Sequence, residues 1–284
     1  MFAFDRWSNV DQWQEIAASL LRKYAARFYR ACKEAWEAGH LEYRPLADDD
    51  PNMLATGRGF RVEFPARSSA DEPGNIENRL RRLIEAIDRG DLERWNDRQV
   101  RAIDLDQHLY WPLLSVQDDE IRVSPPALND GEFSFVRDLQ QFLKSRPEAL
   151  RGARIHLVRN QSRGHGVAFL EANNFHPDFI LWVLRDGIER IAFIDPKGLG
   201  RLEGLDDPKI RLHETIKRTE ERLGNPCVRL ESFIVSVTPY NDLGERWYVD
   251  GGQKPSRAEF ATRHVLFRED GPYIREMFRR LGVP

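Results

Sequence analysis

Two aspartates, each at the end of a strand-like apolar stretch, have the types and spacing best suited to chemistry in this chain. Asp178 precedes the stretch Phe179 to Leu184, and Asp195 ends the stretch Ile188 to Asp195. The Asp186-Gly187 pair between the stretches is a strong signal for a two-residue β-hairpin turn. With that turn, Asp178 faces Asp195 across the hairpin, on one side of the sheet, with Cβ atoms ~5 Å apart.

Lys197 adds a cation to the same face, because side chains alternate along a strand and Lys197 lies two residues beyond Asp195. Two facing carboxylates repel each other unless a cation lies between them. Their hard oxygen ligands suit Mg²⁺ or Mn²⁺ with positions left for water and a phosphate. The set predicts metal-dependent phosphodiester hydrolysis, in which the lysine orients water or stabilises charge on the phosphoryl group. A surface ion pair is the alternative interpretation.

The elements around this hairpin follow from hydrophobic periodicity and turn signals. Helices are predicted at Val10–Ala38, Asn75–Gly90, Glu132–Lys144, Lys209–Leu223 and Pro272–Leu281, with a short helix before His264. Strands are predicted at Phe60–Phe64, Arg154–Arg159, Val167–Glu171, Phe179–Leu184, Ile188–Asp195, Val228–Val237 and His264–Phe267.

The order helix, three or four strands, helix, strand indicates an α/β fold built on a small mixed sheet. Turn residues are densest between Val123 and Gly131, where we place a domain boundary. A mainly helical N-terminal domain is therefore predicted over residues 1–127, and the domain with the sheet over residues 128–284. The first would grip DNA or dock a partner.

Composition narrows the protein class. The chain has 284 residues, of which 41% are hydrophobic and 31% charged, which excludes a disordered or collagen-like chain. Its two cysteines, Cys32 and Cys227, show no paired spacing, so neither a disulfide framework nor a zinc cluster is expected. The longest apolar run has six residues, and residues 1–7 show no signal-peptide core. We expect a soluble cytoplasmic protein with no membrane partner.

The order of residues around the hairpin resembles a known family. Pro177-Asp178, a hydrophobic hairpin and then Asp195-Pro196-Lys197 are similar to the signature of the PD-(D/E)xK nuclease superfamily, which has the restriction-endonuclease-like fold. The likeness is greatest to the C-terminal nuclease region of type III restriction subunits and of DEAD/DEAH-box helicase-associated nucleases. The stretches 157–164 and 193–198 carry it, and residues 106–110 and 264–267 extend it more weakly. The core of that fold is a helix, three strands, a helix and a strand.

The resemblance implies roles for particular residues. Asp178 and Asp195 would bind the metal with the backbone carbonyl of Pro196, and Lys197 would be the catalytic lysine. The family often adds a glutamate from the first core helix, and Glu132 matches that place. Glu132 could instead favour the helix dipole as an acid of the first turn. Glu171, just before the Pro-Asp motif, is the rival for the fourth catalytic acid.

Further residues near the motif are candidates for nucleic-acid contact. Arg159, Arg163 and His165 belong to a polar link between two strands that could hold a phosphate or form an ordinary surface hairpin. His176 beside the Pro-Asp motif could touch substrate, although packing is the more common role of a lone histidine. Asp207-Pro208-Lys209 repeats the Asp-Pro-Lys triplet, but it lies in a polar turn without a facing carboxylate. We interpret it as a loop and helix start.

The resulting hypothesis is a Mg²⁺-dependent deoxyribonuclease, most simply an endonuclease, in which Mn²⁺ could replace Mg²⁺. RNA as substrate, exonuclease action and a homodimer stay open. The chain has no GxxxxGK[ST] loop, so any helicase or ATPase motor would be a separate chain. A role in restriction or antiviral defence follows from the family resemblance alone. The alternative is a non-catalytic nucleic-acid-binding or assembly subunit of a helicase–nuclease complex.

Overall fold

The structure of the chain is a computed structural model. It describes residues 10–38, 60–63, 76–95, 97–105, 113–117, 121–124, 126–145, 148–160, 166–169, 172, 175–248 and 253–283. Within these residues the protein is mixed α/β, with six α-helices and sheets of mixed strand orientation. The chain divides into two compact units, Met1–Pro45 and Leu46–Pro284.

The first unit contains one long helix, α1 (Val10–Ala38), whose bounds are those that its apolar spacing predicted. The large apolar side chains at this spacing are exposed on the helix, among them Trp13, Leu20 and Phe28. None of the helices that the structure describes, α1 included, is both long and apolar enough to cross a membrane.

The second unit contains the remaining elements. Its helices are α2 (Ile76–Asp88), α3 (Asp130–Lys144), α4 (Pro208–Leu223), α5 (Arg257–Thr262) and α6 (Tyr273–Arg280). Its strands are β1 (Arg61–Glu63), β2 (Val100–Ile103), β3 (Leu113–Val116), β4 (Arg122–Ser124), β5 (Arg154–Arg159), β6 (Phe179–Arg185), β7 (Ile188–Lys197), β8 (Val228–Ser236) and β9 (Val265–Phe267). All five helices were expected from the sequence. The observed ends of α2, α3, α4 and α6 lie within two residues of the predicted ends, and α5 is the short helix that was predicted without bounds before His264.

The main sheet has five strands in the order β5-β6-β7-β8-β9. Strands β5, β6 and β7 pair antiparallel, whereas β7, β8 and β9 pair parallel. Helix α4 makes the crossover from β7 to β8, as a parallel pair requires. Strands β6 and β7 are central and largely buried, so the end of this hairpin is held on both sides.

Two sequence expectations need correction. The predicted strand Val167–Glu171 does not form in its described residues, because β5 pairs directly with β6 and leaves no place between them. Phe169 instead makes an isolated bridge to Phe175. The chain before residue 128 also holds more strands than the one predicted at Phe60–Phe64, since β1 pairs with β4 and β2 with β3.

Residues on both sides of the predicted domain boundary share one core. Ile103, Leu105 and Leu113 precede the boundary and belong to the same buried apolar cluster as Phe133 and the main sheet. A second, smaller buried cluster contains Leu83 of α2 and Val100 of β2 together with other apolar residues. The division after residue 127 stays a prediction.

Candidate active site

The β6–β7 hairpin sets the geometry of the site. Asp186 and Gly187 both have positive φ, 54° and 73°, as the two central residues of a type I′ turn require. The register that follows pairs Phe179 with Ile194 at the far end of the hairpin. One step further along the same register brings Asp178 opposite Asp195. This is the pairing that the Asp-Gly turn predicts.

The carboxyl groups of Asp178 and Asp195 lie within hydrogen-bonding reach of each other. Partial burial, followed by repulsion from Asp195, raises the pKa of Asp178 far above its usual range, while Arg159 opposes the shift. Asp195 itself is buried, with 4% of its surface exposed. A divalent cation bound beside both carboxylates would offset their repulsion.

Lys197 lies on the same face as Asp195, and its ammonium contacts the Asp195 carboxylate. The two-residue step along β7 places both side chains together, as strand alternation predicts. The ammonium also lies 4.8 Å from the centroid of the Phe175 ring. The side chain is 20% exposed, so its charged end remains accessible at the edge of the site.

Glu132 reaches the site from the first turn of α3. Its side chain accepts a 2.8 Å hydrogen bond from the Asn129 backbone N–H, and the Asn129 side chain accepts one from the Glu132 N–H. This is a capping box, which satisfies two amides that the helix start would leave unpaired. Glu132 is also buried and adds to the rise in the pKa of Asp178. The side chain therefore serves the helix start and interacts electrostatically with Asp178 at the same time.

Gly131 allows the start of α3 to approach the end of β7. A Cβ atom at this position would lie 3.1 Å from Cγ1 of Val237 and 3.7 Å from the backbone oxygen of Pro196. A Cβ at this position would therefore require the Val237 side chain or the start of α3 to shift by a few tenths of an ångström. The carbonyl of Pro196, predicted to be a metal ligand, thus lies beside the first turn of α3.

Arg159, at the end of β5, is turned inward. Its guanidinium forms an ion pair with Glu132, with Nη2 and Oε1 3.0 Å apart, and lies 5.4 Å from the centroid of Phe179. Its Nη1 is buried without a hydrogen-bond partner. Arg159 therefore balances the acids, and its unpaired Nη1 still has a donor to offer a bound anion.

Of the other predicted nucleic-acid contacts, His176 lies among the described residues. His176 is half-buried, and its Nδ1 has no hydrogen-bond partner. Arg163, His165 and Glu171 lie outside the described residues.

Asn160 is a positioning residue that sequence reasoning missed. Its buried side chain donates to the carbonyls of Pro177 and Val167, both at 2.8 Å, and accepts from the Val167 N–H. Its backbone N–H donates to the carbonyl of Asp178. Asn160 thus fixes the backbone that carries Asp178. The available signal was a polar residue directly after an apolar strand, but this residue was interpreted as part of a surface link between two strands.

Lys209 is the second residue that was missed. Asp207 caps α4 by accepting from the Lys209 N–H, and Pro208 occupies the first helical position, as predicted for a helix start. The Lys209 ammonium nevertheless lies 5.5 Å from the centroid of Phe175, the ring that Lys197 also approaches. Burial, and then repulsion from Lys197, lowers the pKa of Lys209.

The carboxylates of Asp178 and Asp195 and the carbonyl of Pro196 are oxygen donors of the type that Mg²⁺ prefers. Among the described residues, no three His, Cys, Asp or Glu side chains form a group that could hold a metal ion. Mg²⁺ is commonly bound through one or two carboxylates and completes its shell with water and substrate phosphate. Asp178, Asp195 and the Pro196 carbonyl supply that kind of partial shell. The repulsion between the two aspartates marks where a positive charge would be favourable.

Comparisons of the chain with protein families, curated proteins and solved structures found no match.

Proposed function

We propose that this protein is a Mg²⁺-dependent nuclease that hydrolyses phosphodiester bonds in DNA, with a site of the PD-(D/E)xK kind. The contact between the Asp178 and Asp195 carboxyl groups, with Lys197 against Asp195, carries the proposal. Two facing acids that repel each other, one buried and one partly buried, destabilise a fold, so a bound cation is the simplest reason for this arrangement. The resemblance of the Pro-Asp and Asp-Pro-Lys motifs to that superfamily supports the same function.

The residues would divide the chemistry among them. Asp178, Asp195 and the Pro196 carbonyl would hold the cation. A bound Mg²⁺ or Mn²⁺ supplies a Lewis acid for the phosphoryl oxygen and lowers the pKa of a water molecule. The Lys197 ammonium would stabilise negative charge that develops on the phosphoryl group or orient the attacking water. The Glu132–Arg159 ion pair would keep the third acid neutralised while the substrate phosphate approaches.

Three parts of the proposal rest on the family resemblance. They are endonuclease action on DNA, a role in restriction or antiviral defence, and the need for a separate motor chain. Fold and motif alone do not fix biological role, because one nuclease fold serves many reactions. These features therefore form the part of the proposal that a cleavage assay has to establish first.

The test is incubation of supercoiled plasmid with the wild-type protein in Mg²⁺, Mn²⁺ or EDTA, beside two variants. Asp178→Asn removes one of the two facing carboxylates and is expected to abolish cleavage. Asp186→Asn is the matched control, because it makes the same change at the exposed turn of the same hairpin, where asparagine tolerates a positive φ. Metal-dependent nicking by the wild type and the control, but not by Asp178→Asn, is the expected result.

The alternative is a non-catalytic nucleic-acid-binding subunit. Metal-independent DNA binding with no cleavage of DNA or RNA in any metal would favour it. Equal cleavage by Asp178→Asn and the wild type would overturn the proposed site even if the protein were a nuclease.

A further inference from the structure

We propose that Lys209 and Lys197 together form a binding site for a backbone phosphate of the nucleic-acid substrate. The inference rests on the proposed nuclease function and adds a substrate contact to that site. It starts from the observation that two ammonium groups from different elements meet over one aromatic ring. Lys197 ends β7 and Lys209 begins α4, and their Nζ atoms lie 4.8 Å and 5.5 Å from the centroid of Phe175.

Each of the other cations near the aspartates has a carboxylate partner. Arg159 pairs with Glu132, and Lys197 contacts Asp195. In the part of the chain that the structure describes, Lys209 forms no ion pair with any carboxylate. Asp195 and Asp207 attract the half-buried Lys209 ammonium without forming an ion pair with it, and this attraction does not outweigh burial and the repulsion from Lys197. A bound anion would offset the remaining cost.

Asp207 does not supply that anion. Its carboxylate accepts hydrogen bonds from the backbone N–H groups of Lys209 and Glu203, at 2.9 and 3.0 Å. The carboxylate is therefore used in starting the helix. It attracts the Lys209 ammonium without forming an ion pair with it, and that ammonium lies near Phe175. The helix cap and the side-chain position are separate features of one triplet.

Phe175 explains why the two ammonium groups hold this position without an anion. It is buried, and the face of its ring attracts cations at the observed distances. The loop that carries it is held by the Phe169 bridge and by packing of Phe169 edge-on against Phe193, with ring centroids 4.7 Å apart. The ring thus keeps both lysines extended at the edge of the aspartate pair before substrate binds.

A phosphodiester is the anion that suits this place. It carries one negative charge and oxygens that accept from two ammonium groups at once. Lysine contacts to phosphate position a nucleic acid without reading its sequence. Lys209 is therefore expected to act on substrate binding, whereas Lys197, which contacts Asp195, acts in the chemical step.

The test compares Lys209→Met with Lys144→Met, which removes the same charge at the last turn of α3, ~18 Å along that helix from Glu132. Binding of a short labelled DNA duplex is measured in EDTA, where no cleavage is expected, between about 50 and 200 mM salt. Lys209→Met is expected to weaken binding roughly tenfold and to lower the slope of log affinity against log salt by ~0.9. Lys209→Arg should retain most of both.

Cleavage kinetics in Mg²⁺ then separate this proposal from the one that it rests on. Lys209→Met is expected to raise KM and to leave kcat within about twofold. If Lys209→Met binds DNA as Lys144→Met does, or loses kcat without losing affinity, the phosphate site is overturned. If binding depends on Lys209 but the wild type cleaves neither DNA nor RNA, the phosphate site stands and the nuclease function fails. Inorganic phosphate that competes equally with duplex in the wild type and Lys209→Met also contradicts the proposal.

Discussion

Asp195-Pro196-Lys197 and Asp207-Pro208-Lys209 contain the same three residues in the same order, yet they form different structures. In the first triplet, the aspartate is buried in β7 opposite a second acid, and the lysine turns back onto it. In the second, the aspartate caps α4 and the proline occupies the first helical position. Both lysines nevertheless end within 6 Å of the centroid of Phe175.

Neighbouring residues account for the difference. The first triplet follows an apolar strand whose hairpin partner begins at Asp178, so its aspartate meets another carboxylate. The second follows a polar turn, where a side-chain oxygen is needed by the free amides of a helix start. The same three residues therefore contribute to a pair of facing carboxylates in one place and to a helix cap in the other. A short motif gains chemical meaning only from the element that faces it.

The largest effect expected from this comparison is on cleavage. Asp195→Asn removes a carboxylate from the facing pair and is expected to lower the cleavage rate roughly a thousandfold or more. Asp207→Asn makes the same change in the same triplet. Asparagine keeps one oxygen that can accept from the Lys209 N–H and cap the helix, although the hydrogen bond from the Glu203 N–H is lost, so activity should stay within about twofold. Initial rates of plasmid nicking in Mg²⁺ measure both.

Similar losses in the two variants would show that the triplets are not functionally distinct. Circular dichroism of both proteins is the control, since each variant should retain the wild-type helix content. A full loss in Asp207→Asn with an intact fold would assign the chemistry to the second triplet instead.

The comparison also shows what could be predicted from sequence. The hairpin register followed from Asp186-Gly187 between two apolar stretches, because local turn chemistry determines it. The roles of Asn160 and Lys209 could not be predicted from the sequence, because each depends on contact with a loop or helix from another part of the chain. The strand predicted from Val167 failed for the same reason, since Asn160 holds its first residue in a loop instead.

A second effect, on stability, is expected at Asn160, which supports the first triplet through the strand that faces it. Asn160→Ala would leave the carbonyls of Pro177 and Val167 and the Val167 N–H without partners, and we expect a loss of ~3 kcal/mol in the free energy of unfolding. Urea denaturation measures this loss. Asn225→Ala is the control, because Asn225 makes one side-chain hydrogen bond in an exposed turn. Equal losses in the two variants would contradict a special role for Asn160.

A smaller effect of opposite sign is expected at Asp178. Its pKa is raised in the folded protein, so the folded state binds a proton more strongly than the unfolded state does. In EDTA, this group therefore lowers stability as the pH rises above its unfolded pKa of ~3.9. Asp178→Asn should stabilise the metal-free protein by roughly 1–2 kcal/mol at neutral pH and flatten that part of the pH dependence.

The metal provides the check on this prediction. Mg²⁺ should raise the Tm of the wild type in a thermal-shift assay and leave the Tm of Asp178→Asn unchanged. A metal-induced shift that persists in Asp178→Asn would place the cation elsewhere in the protein.

The smallest effect is expected when the helix cap in the second triplet is removed, and it concerns stability rather than cleavage. Asp207→Ala removes the side-chain oxygen that accepts from the backbone N–H groups of Lys209 and Glu203, so it should cost ~1 kcal/mol of unfolding free energy. The rate of cleavage per folded molecule should stay close to that of the wild type, because the cap uses the Lys209 backbone N–H, whereas the Lys209 ammonium lies near Phe175. Denaturation together with nicking measured well below the melting temperature separates the two quantities. A lower cleavage rate in Asp207→Ala would contradict this expectation. It would show that the cap has to hold the start of α4 in place for Lys209 to reach the phosphate.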